Sequence, residues 1–312
     1  MKKDFLSIAD WSSREMNRFI DLSMKMKAQP EKYGDSLKGK SVALIFEKQS
    51  LRTHVTFDVG VYQLGGHSVY LSQSDISLGK RESIHDVAKN LERWMSGVVL
   101  RTYAHQGCVD MGANMKIPVI NALTDYEHPC QAVGDFLTVK EHLGDLRKKK
   151  FVFVGDGNNV CNSLMLMAAK IGTDFVAATP RGYEPPKDVL KLAAEAAKET
   201  GAAIEVEHDP RAAVRDADVV YTDVWVSMGQ ESEREERLKV FRDFQVNKQL
   251  MSLGKKSAIF MHCLPAHRGE EVTDEIIDSK QSVVWDESEN RLHSQKAIMY
   301  ALFAGQEDLM EK

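Results

Sequence analysis

Short apolar runs rich in β-branched residues alternate along this chain with longer stretches whose apolar positions recur at helical spacing. In the first half, Ser41–Phe46, His67–Leu71, Gly97–Arg101 and Ile117–Ile120 read as strands. In the second half the candidates are Phe151–Gly155, Asp174–Ala178, Ala203–Glu207, Val219–Asp223, Ser257–Met261 and Ser282–Trp285. Between them Thr53–Leu64, Ser83–Met95, Pro129–His142, Val160–Ile171 and Lys187–Thr200 carry the helical period. Strands of about five apolar residues separated by helices of about ten or more are the signature of parallel α/β sheets. The chain opens differently: Ser12 and Glu15 form an S-x-x-E capping pair ahead of Phe19, Ile20 and Met24, a first helix with no strand before it. It closes on Asn290–Ala304, where Leu292, Ala297, Ile298, Ala301 and Leu302 share a helical face.

A length of 312 residues suits two domains. The charged tract Glu141–Lys150, with Gly144 and three successive lysines, is the expected break, because it is solvated and a buried strand follows it directly. The expected architecture is α/β, with two domains, 1–145 and 146–287, each a parallel sheet flanked by helices. A second charged run, Glu231–Arg242, reads as a solvated helix face or loop; the sharper alternative is a mobile segment beside a substrate loop.

Composition narrows the class. A hydrophobic fraction of 43% allows a full core in each half. A net charge of -5 with interspersed signs argues against a nucleic-acid partner, which needs a basic face. Cys108, Cys130, Cys161 and Cys263 show no CxxC spacing and read as reduced thiols of a cytoplasmic protein. The lysines at the start are followed by no apolar stretch, so no secretion signal is expected. No run approaches the roughly 18 apolar residues that a membrane span needs.

Ligands of open parallel sheets bind beyond the carboxyl ends of the strands. Ser41–Phe46 is followed by Glu47-Lys48-Gln49-Ser50-Leu51-Arg52-Thr53-His54, which runs straight into a helix. Backbone N–H groups and the positive dipole end at such a helix start suit an anion. Ser50 and Thr53 add hydroxyls, and Arg52 adds a guanidinium fork that matches phosphate. The same residues also make an ordinary helix cap, so the segment alone is only moderately specific. Arg101 ends an otherwise apolar strand and by itself fits a structural ion pair equally well. His128 and Gln131 flank Pro129 at a helix start and face one side. Together Arg52, Arg101, His128 and Gln131 would hold a small polyanion and polarise an adjacent carbonyl.

The second half offers Gly155-Asp156-Gly157-Asn158-Asn159, then Asp223 with Ser227-Met228-Gly229, then His262-Cys263-Leu264-Pro265. The first of these matches a dinucleotide loop only in part, because G-x-G-x-x-G needs glycine where this chain has Val160; no nicotinamide or flavin cofactor is expected. Cys263 follows a strand beside His262, but neighbours on an extended segment point to opposite sides. A thiol that hydrogen-bonds a substrate is therefore a better reading than a nucleophile with its base next door. Cysteines and histidines lack metal-ligand spacing, so no metal is expected.

In this order the segments resemble a known family. Ser50-Leu51-Arg52-Thr53-His54 resembles the S-T-R-T-R carbamoyl phosphate motif of the aspartate/ornithine carbamoyltransferases. His128-Pro129-Cys130-Gln131 looks like the ornithine branch's form of the family's H-P-x-Q. Asp223 to Gly229 is similar to the D-x-x-x-S-M-G ornithine loop, and His262-Cys263-Leu264-Pro265 to the branch's H-C-L-P. These last two are specific for ornithine rather than aspartate as acceptor, and the likeness runs from Asp4 to Arg291.

The resemblance implies a carbamoyl phosphate-binding domain, 1–145, with the C-terminal helix at about 288–312 packing back onto it, and an ornithine-binding domain, 146–287. Ser50, Leu51, Arg52, Thr53 and Arg291 would grip the phosphate, and Arg101, His128 and Gln131 would reach the carbamoyl group. Asn159, Asp223, Ser227 and Met228 would bind the amino-acid end of ornithine, with Cys263 and the Leu264 carbonyl between the two substrates. Catalysis would rest on Arg101, His128 and Cys263. The family's domains close over their ligands in trimers or multiples of trimers, with sites at subunit boundaries. Leu51 replaces the motif's threonine, losing a hydroxyl but not the N–H, and His54 replaces a supporting arginine. In the segment Ser77–Ser83, expected to serve a neighbouring subunit's site, Ser77 stands where relatives place Gln or His.

The implied reaction moves the carbamoyl group of carbamoyl phosphate to the δ-amine of L-ornithine, giving L-citrulline and phosphate without a cofactor; arginine biosynthesis is favoured over catabolism, which uses the same active site. Three rivals stand beside it. One is a carbamoyltransferase for putrescine or an N-acylated ornithine, against which D-x-x-x-S-M-G counts, since it serves a free amino-acid end. Another is an oxidoreductase using Gly155–Asn159, and the third an inactive relative, which His54 and Ser77 leave open.

Overall fold

The computed structural model describes residues 2–76, 78 and 82–304, and in it the chain forms two compact units. Met1–Leu137 with Glu289–Lys312 make the first, and Thr138–Ser288 the second. The chain passes between units inside helices, at Leu137/Thr138 within Pro129–Leu143 and at Ser288/Glu289 within Val284–Phe303. The charged tract after Leu143 instead makes a turn, with Gly144 and Lys148 both at positive φ, that delivers the chain into the second sheet.

The first unit holds four parallel strands: β1 Ser41–Phe46, β2 His67–Ser72, β3 Gly97–Arg101 and β4 Val119–Leu123. Their order is β2-β1-β3-β4, so the chain steps to one side of β1 and then to the other. Strands β3 and β4 are buried throughout, as continuous apolar runs require when helices cover both faces. Phe5 adds a parallel bridge to Ile120 beyond β4, and its ring packs with Trp11 and Phe19. The helix Ser13–Ala28 starts on the full capping box of Ser12 and Glu15. The helix Leu51–Gln63 runs close to the last helix at Gly60, where an added Cβ would stand 2.9 Å from Met299.

The second unit holds five parallel strands: β5 Lys150–Val154, β6 Asp174–Ala178, β7 Ile204–Glu207, β8 Val219–Thr222 and β9 Ile259–His262, in the order β7-β6-β5-β8-β9. One apolar cluster includes Val152, Val176, Val220, Trp225, Phe241 and Phe260. Both sheets are therefore parallel and flanked by helices.

One expected strand is absent. Ser282–Trp285 makes a single bridge from Ser282 to Phe260, and Val284 already opens the helix Val284–Phe303. The strand expected at Ile117–Ile120 lies two residues later, and the helix His105–Asn114 fills the step between β3 and β4. Ser77, Gly79, Lys80 and Arg81 of the segment assigned to a neighbouring subunit lie outside the described residues. No helix among the described residues is long and apolar enough to cross a membrane.

Candidate active site

Each sheet has one point where the chain reverses its direction of travel, between β1 and β3 and between β5 and β8. The crevice beyond the carboxyl ends at such a point is where open sheets bind ligands. Ser50–Thr53 and Arg101 follow the strands at the first point, and Gly155–Asn159 and Asp223 those at the second; His128–Gln131 and Cys263 follow the edge strands β4 and β9 and join them through hydrogen bonds, one cluster in each unit.

In the first unit, β1 leads through Glu47–Ser50 into the helix Leu51–Gln63. Ser50 is the N-cap, its Oγ accepting from the Thr53 N–H at 3.2 Å. Thr53 is buried, and its Oγ1 accepts from Arg101 Nη1 at 3.4 Å and from Arg291 Nη2 at 2.9 Å. Arg291 Nη1 donates to Gln131 Oε1. Gln131 Nε2 donates to Asp135 Oδ1 at 2.7 Å, which turns the amide oxygen toward Arg291. Thus Thr53, Arg101, Gln131 and Arg291 share one hydrogen-bonded cluster, with Ser50 at its edge. Arg52 is half-buried beside it, and Leu51, the first helical residue, has 73% of its side chain exposed. His54 turns away and stacks on Tyr70 at 4.0 Å between ring centroids.

Arg291 is 2% exposed, and neither of its two acceptors is a carboxylate. A buried cation without a counter-ion costs several kcal/mol, roughly, unless an anion arrives. His128 adjoins the same charges. Burial, with Arg291 and then Arg101 adding to it, holds its imidazole well below the usual value, so it is neutral near pH 7. Its place is fixed from behind, because Glu127 accepts from Ser7 Oγ and from the Ile8 N–H, and Thr124 Oγ1 caps the turn. Cys130, between His128 and Gln131, donates to the Asn121 carbonyl, and burial pushes its thiol up to about 12.

In the second unit, Asn158 caps the helix Asn159–Ile171 through its Oδ1, which accepts from the Val160 and Cys161 N–H groups, both at 3.0 Å. Its Nδ2 donates to Asp223 Oδ2 at 2.8 Å. Asp223 Oδ1 accepts from the Val224 N–H at 2.8 Å and from Cys263 Sγ at 3.1 Å. The loop from Asp223 then presents Ser227, half-buried, and Met228, exposed; Ser227 is braced by Gln230, whose Oε1 accepts its N–H. Gly157 cannot be replaced without displacement, since an added Cβ would stand 2.3 Å from Pro185 N.

His262 and Cys263 diverge as alternation on an extended segment requires. His262 is buried, its Nδ1 accepting the Leu264 N–H at 2.8 Å and its Nε2 donating to Glu271 Oε1 at 3.1 Å. These bonds make His262 a support for Leu264, which is held at φ 57, a left-handed conformation that costs a non-glycine residue about 1–3 kcal/mol. Asp223, His262 and Cys263 form one of two groupings of metal-ligand type among the described residues, the other being His267, Glu270 and Glu271. In both, hydrogen bonds and ion pairs within the protein occupy donor atoms: His262 Nδ1 in the first, and Glu270 with Arg234 in the second.

The structure thus groups Ser50, Thr53, Arg101, His128, Gln131 and Arg291 in one unit and Asp223 and Cys263 in the other. Asn159, Ser227, Met228 and Leu264 are sequence neighbours of that second group. The sequence reading named Asn158 only as part of the Gly155–Asn159 segment and did not single out Asp135. Asp135 stands four residues after Gln131 on one helix, a spacing that marks interacting side chains. Asn158 carried the N-cap signal of an asparagine before an apolar helical run.

Known proteins show the same build. A model of the aspartate/ornithine carbamoyltransferase carbamoyl-P binding domain matches residues 3–141, and one of the Asp/Orn binding domain matches residues 147–302. An ornithine carbamoyltransferase of Pyrococcus horikoshii is 50% identical over 97% of this chain and 96% of its own length. That of Oceanobacillus iheyensis is 51% identical over 97% and 94%. The solved ornithine carbamoyltransferase of Pyrococcus furiosus superposes with a TM-score of 0.94 at 48% identity, covering 97% of both chains. With both of its units matched by the paired domain models, the chain belongs to the aspartate/ornithine carbamoyltransferase family.

Proposed function

We propose that the chain transfers the carbamoyl group of carbamoyl phosphate to the δ-amine of L-ornithine, giving L-citrulline and phosphate. Its relatives named as ornithine carbamoyltransferases support the reaction, and the buried guanidinium of Arg291, which among the described residues meets an amide oxygen and a hydroxyl but no carboxylate, carries the reading of the site. A phosphate dianion matches the charge and the donors of such a cluster. In this reading the N–H groups at the start of the helix Leu51–Gln63, the hydroxyls of Ser50 and Thr53, and Arg52 and Arg291 hold the phosphate. Arg101, His128 and Gln131 face the carbamoyl group, and the carbonyl oxygen takes donors from Thr53, Arg101 and His128.

Asp223 is the natural partner of the α-ammonium of ornithine, with Asn159, Ser227 and Met228 around the amino-acid end and Cys263 beside Asp223. The δ-amine must lose its proton to attack, and a free alkylammonium has a pKa near 10.4 by analogy with lysine. Desolvation lowers that value and favours the nucleophile. The amine nitrogen bonds to the carbamoyl carbon, the carbonyl oxygen gains charge against Arg101 and its neighbours, and the bond to the phosphate oxygen breaks. The departing phosphate takes the amine's proton, so atoms and charge balance without a protein base. Much of the acceleration then comes from positioning.

For the role we adopt arginine biosynthesis rather than catabolism, the direction in which the mixed anhydride is the activated partner. The four cysteines are all free, which suits a reducing compartment such as the cytoplasm. A homotrimer or a multiple of it is the assembly we adopt, supported by apolar side chains exposed along the helix Leu51–Gln63.

The test is citrulline or carbamoyl-amine formation by purified protein from carbamoyl phosphate, with ornithine, putrescine, N-acetylornithine and lysine compared side by side. Turnover with ornithine above all others is expected. Preference for another amine would overturn the acceptor, and inactivity with all four would overturn the reaction.

A further inference from the structure

The charged run Glu231–Arg242 is not solvated throughout. It folds as a 3-10 turn, Glu231–Glu233, a helix, Arg234–Val240, and a second turn beginning at Arg242. One of its arginines turns inward: Arg237 is 6% exposed. Its Nη1 donates to Asp156 Oδ2 at 2.9 Å and to the Trp225 carbonyl at 3.0 Å. Its Nε donates to Glu233 Oε2 at 2.9 Å. The guanidinium lies 5.1 Å from the centroid of the Tyr183 ring and 6.0 Å from that of Phe241, which in turn stacks on Trp225.

The two main acceptors sit on different loops. Asp156 stands two residues before Asn158, whose amide donates to Asp223, and Trp225 stands two residues after Asp223. One side chain therefore joins the loop after β5 to the loop after β8, across the switch point of the second sheet. Asp156 is buried, which pushes its carboxyl up, and Arg237 opposes that shift.

We propose that Arg237 is a positioning residue for the amino-acid acceptor: it holds the Asp223–Gly229 loop against the Gly155–Asn159 loop, so that Asp223 presents its carboxylate to the substrate ammonium. The proposal rests on the reading of this unit as the ornithine-binding one. Without Arg237, a buried carboxylate and a buried carbonyl lose a shared charged donor, and the two loops lose their tie. Lysine keeps the charge but not the planar fork that serves several acceptors at once.

Steady-state kinetics with each substrate varied in turn tests it. Arg237→Met should raise KM for ornithine about tenfold or more while KM for carbamoyl phosphate stays within about twofold. Arg237→Lys should fall between Arg237→Met and the parent, and Glu233→Gln, which alters only a half-exposed partner, should match the parent. An unchanged ornithine KM in Arg237→Met, or an equal rise for both substrates, would overturn the proposal. Should Arg237→Met fail to fold, Arg237→Lys and Asp156→Asn are read the same way, and an ornithine KM unchanged in both overturns it. Hydrogen exchange reads the anchor apart from activity: amides of 224–229 should exchange at least about tenfold faster in the variant, and equal protection overturns the anchor. A parent protein that forms no citrulline overturns the proposed function instead, while exchange still decides the anchor.

Discussion

Arg291 is asked to do two things that pull in opposite directions. As a buried guanidinium whose acceptors among the described residues are a hydroxyl and an amide oxygen, it should lower the stability of the ligand-free protein. In the proposed anion site its charged fork would strengthen ligand binding. Arg291→Met should therefore lower kcat/KM for carbamoyl phosphate by about a hundredfold or more, while the thermal midpoint without ligand holds or rises. Inorganic phosphate should raise the midpoint of the parent and not that of the variant. A variant that keeps its activity, or that responds to phosphate as the parent does, would remove Arg291 from the site. Residues of this kind differ in how plainly the sequence marks them. Arg101 stands out because it ends an apolar strand, and Ser50 to Thr53 because they join a strand to a helix. Arg291 is invisible to pattern, since an arginine in a long helix reads as a solvent position; only the family resemblance pointed to it. Arg237 was hidden further, being the one buried charge of a charged run, turned inward by an aspartate 81 positions away.

Elements were more legible than residues. Strands β1, β3 and β6 have the bounds that their apolar runs suggest, because a buried parallel strand must be apolar on both faces. Ser282–Trp285 is not a strand, because a short β-branched run does not by itself distinguish strand from helix. What decides it is tertiary. Val283 makes one backbone bond to Phe260, after which Glu287 takes its N–H to the Val283 carbonyl and its carboxylate to Tyr221 and the His262 N–H. The helix Leu51–Gln63 poses a different question, since its buried face explains only half of its sequence. Leu51, Val55 and Tyr62 lie outward at helical spacing, Tyr62 with 80% of its side chain exposed, next to the edge strand β2 with Tyr70. A second copy of the chain covering this face would account for it. The parent should sediment at three times 35.1 kDa or a multiple, and the double variant Val55→Glu/Tyr62→Glu should sediment closer to a single chain. A parent at the single-chain mass would end the trimer reading, and a variant that keeps the full assembly would move the interface elsewhere.

Across the whole molecule, the two units should answer acid differently. In the first, His105, His128 and His293 are all held below the ordinary imidazole value, chiefly by burial. Arg291 and Arg101 add to the shift at His128, and Lys296 and Lys27 add to it at His293, where Glu289 opposes them. An unfolded histidine titrates near 6.5. Between that value and the lower folded one, the unfolded chain binds more protons, so stability falls as pH falls below about 6.5. For a fully displaced group such as His128 the slope approaches about 1.4 kcal/mol per pH unit. In the second unit, Glu184, Glu207 and Asp278 are held low by hydrogen bonds from backbone groups or Arg268, so what they contribute is kept until pH drops below about 4.5. Asp156, raised by burial, has the opposite sign: through its titration the folded state binds the extra proton. Moving from pH 7.5 to 5.5 in a phosphate-free buffer should thus lower the melting of the first unit and leave the second nearly unmoved, separating transitions that a multi-domain chain need not share. Exchange-labelled peptides assign each transition to its unit. His128→Asn should remove part of the first unit's shift, because it deletes the group that must be charged on unfolding. Equal shifts in both units, or an acid response undiminished in His128→Asn, would mean that the stability of the fold does not run through the buried histidine of the proposed anion site.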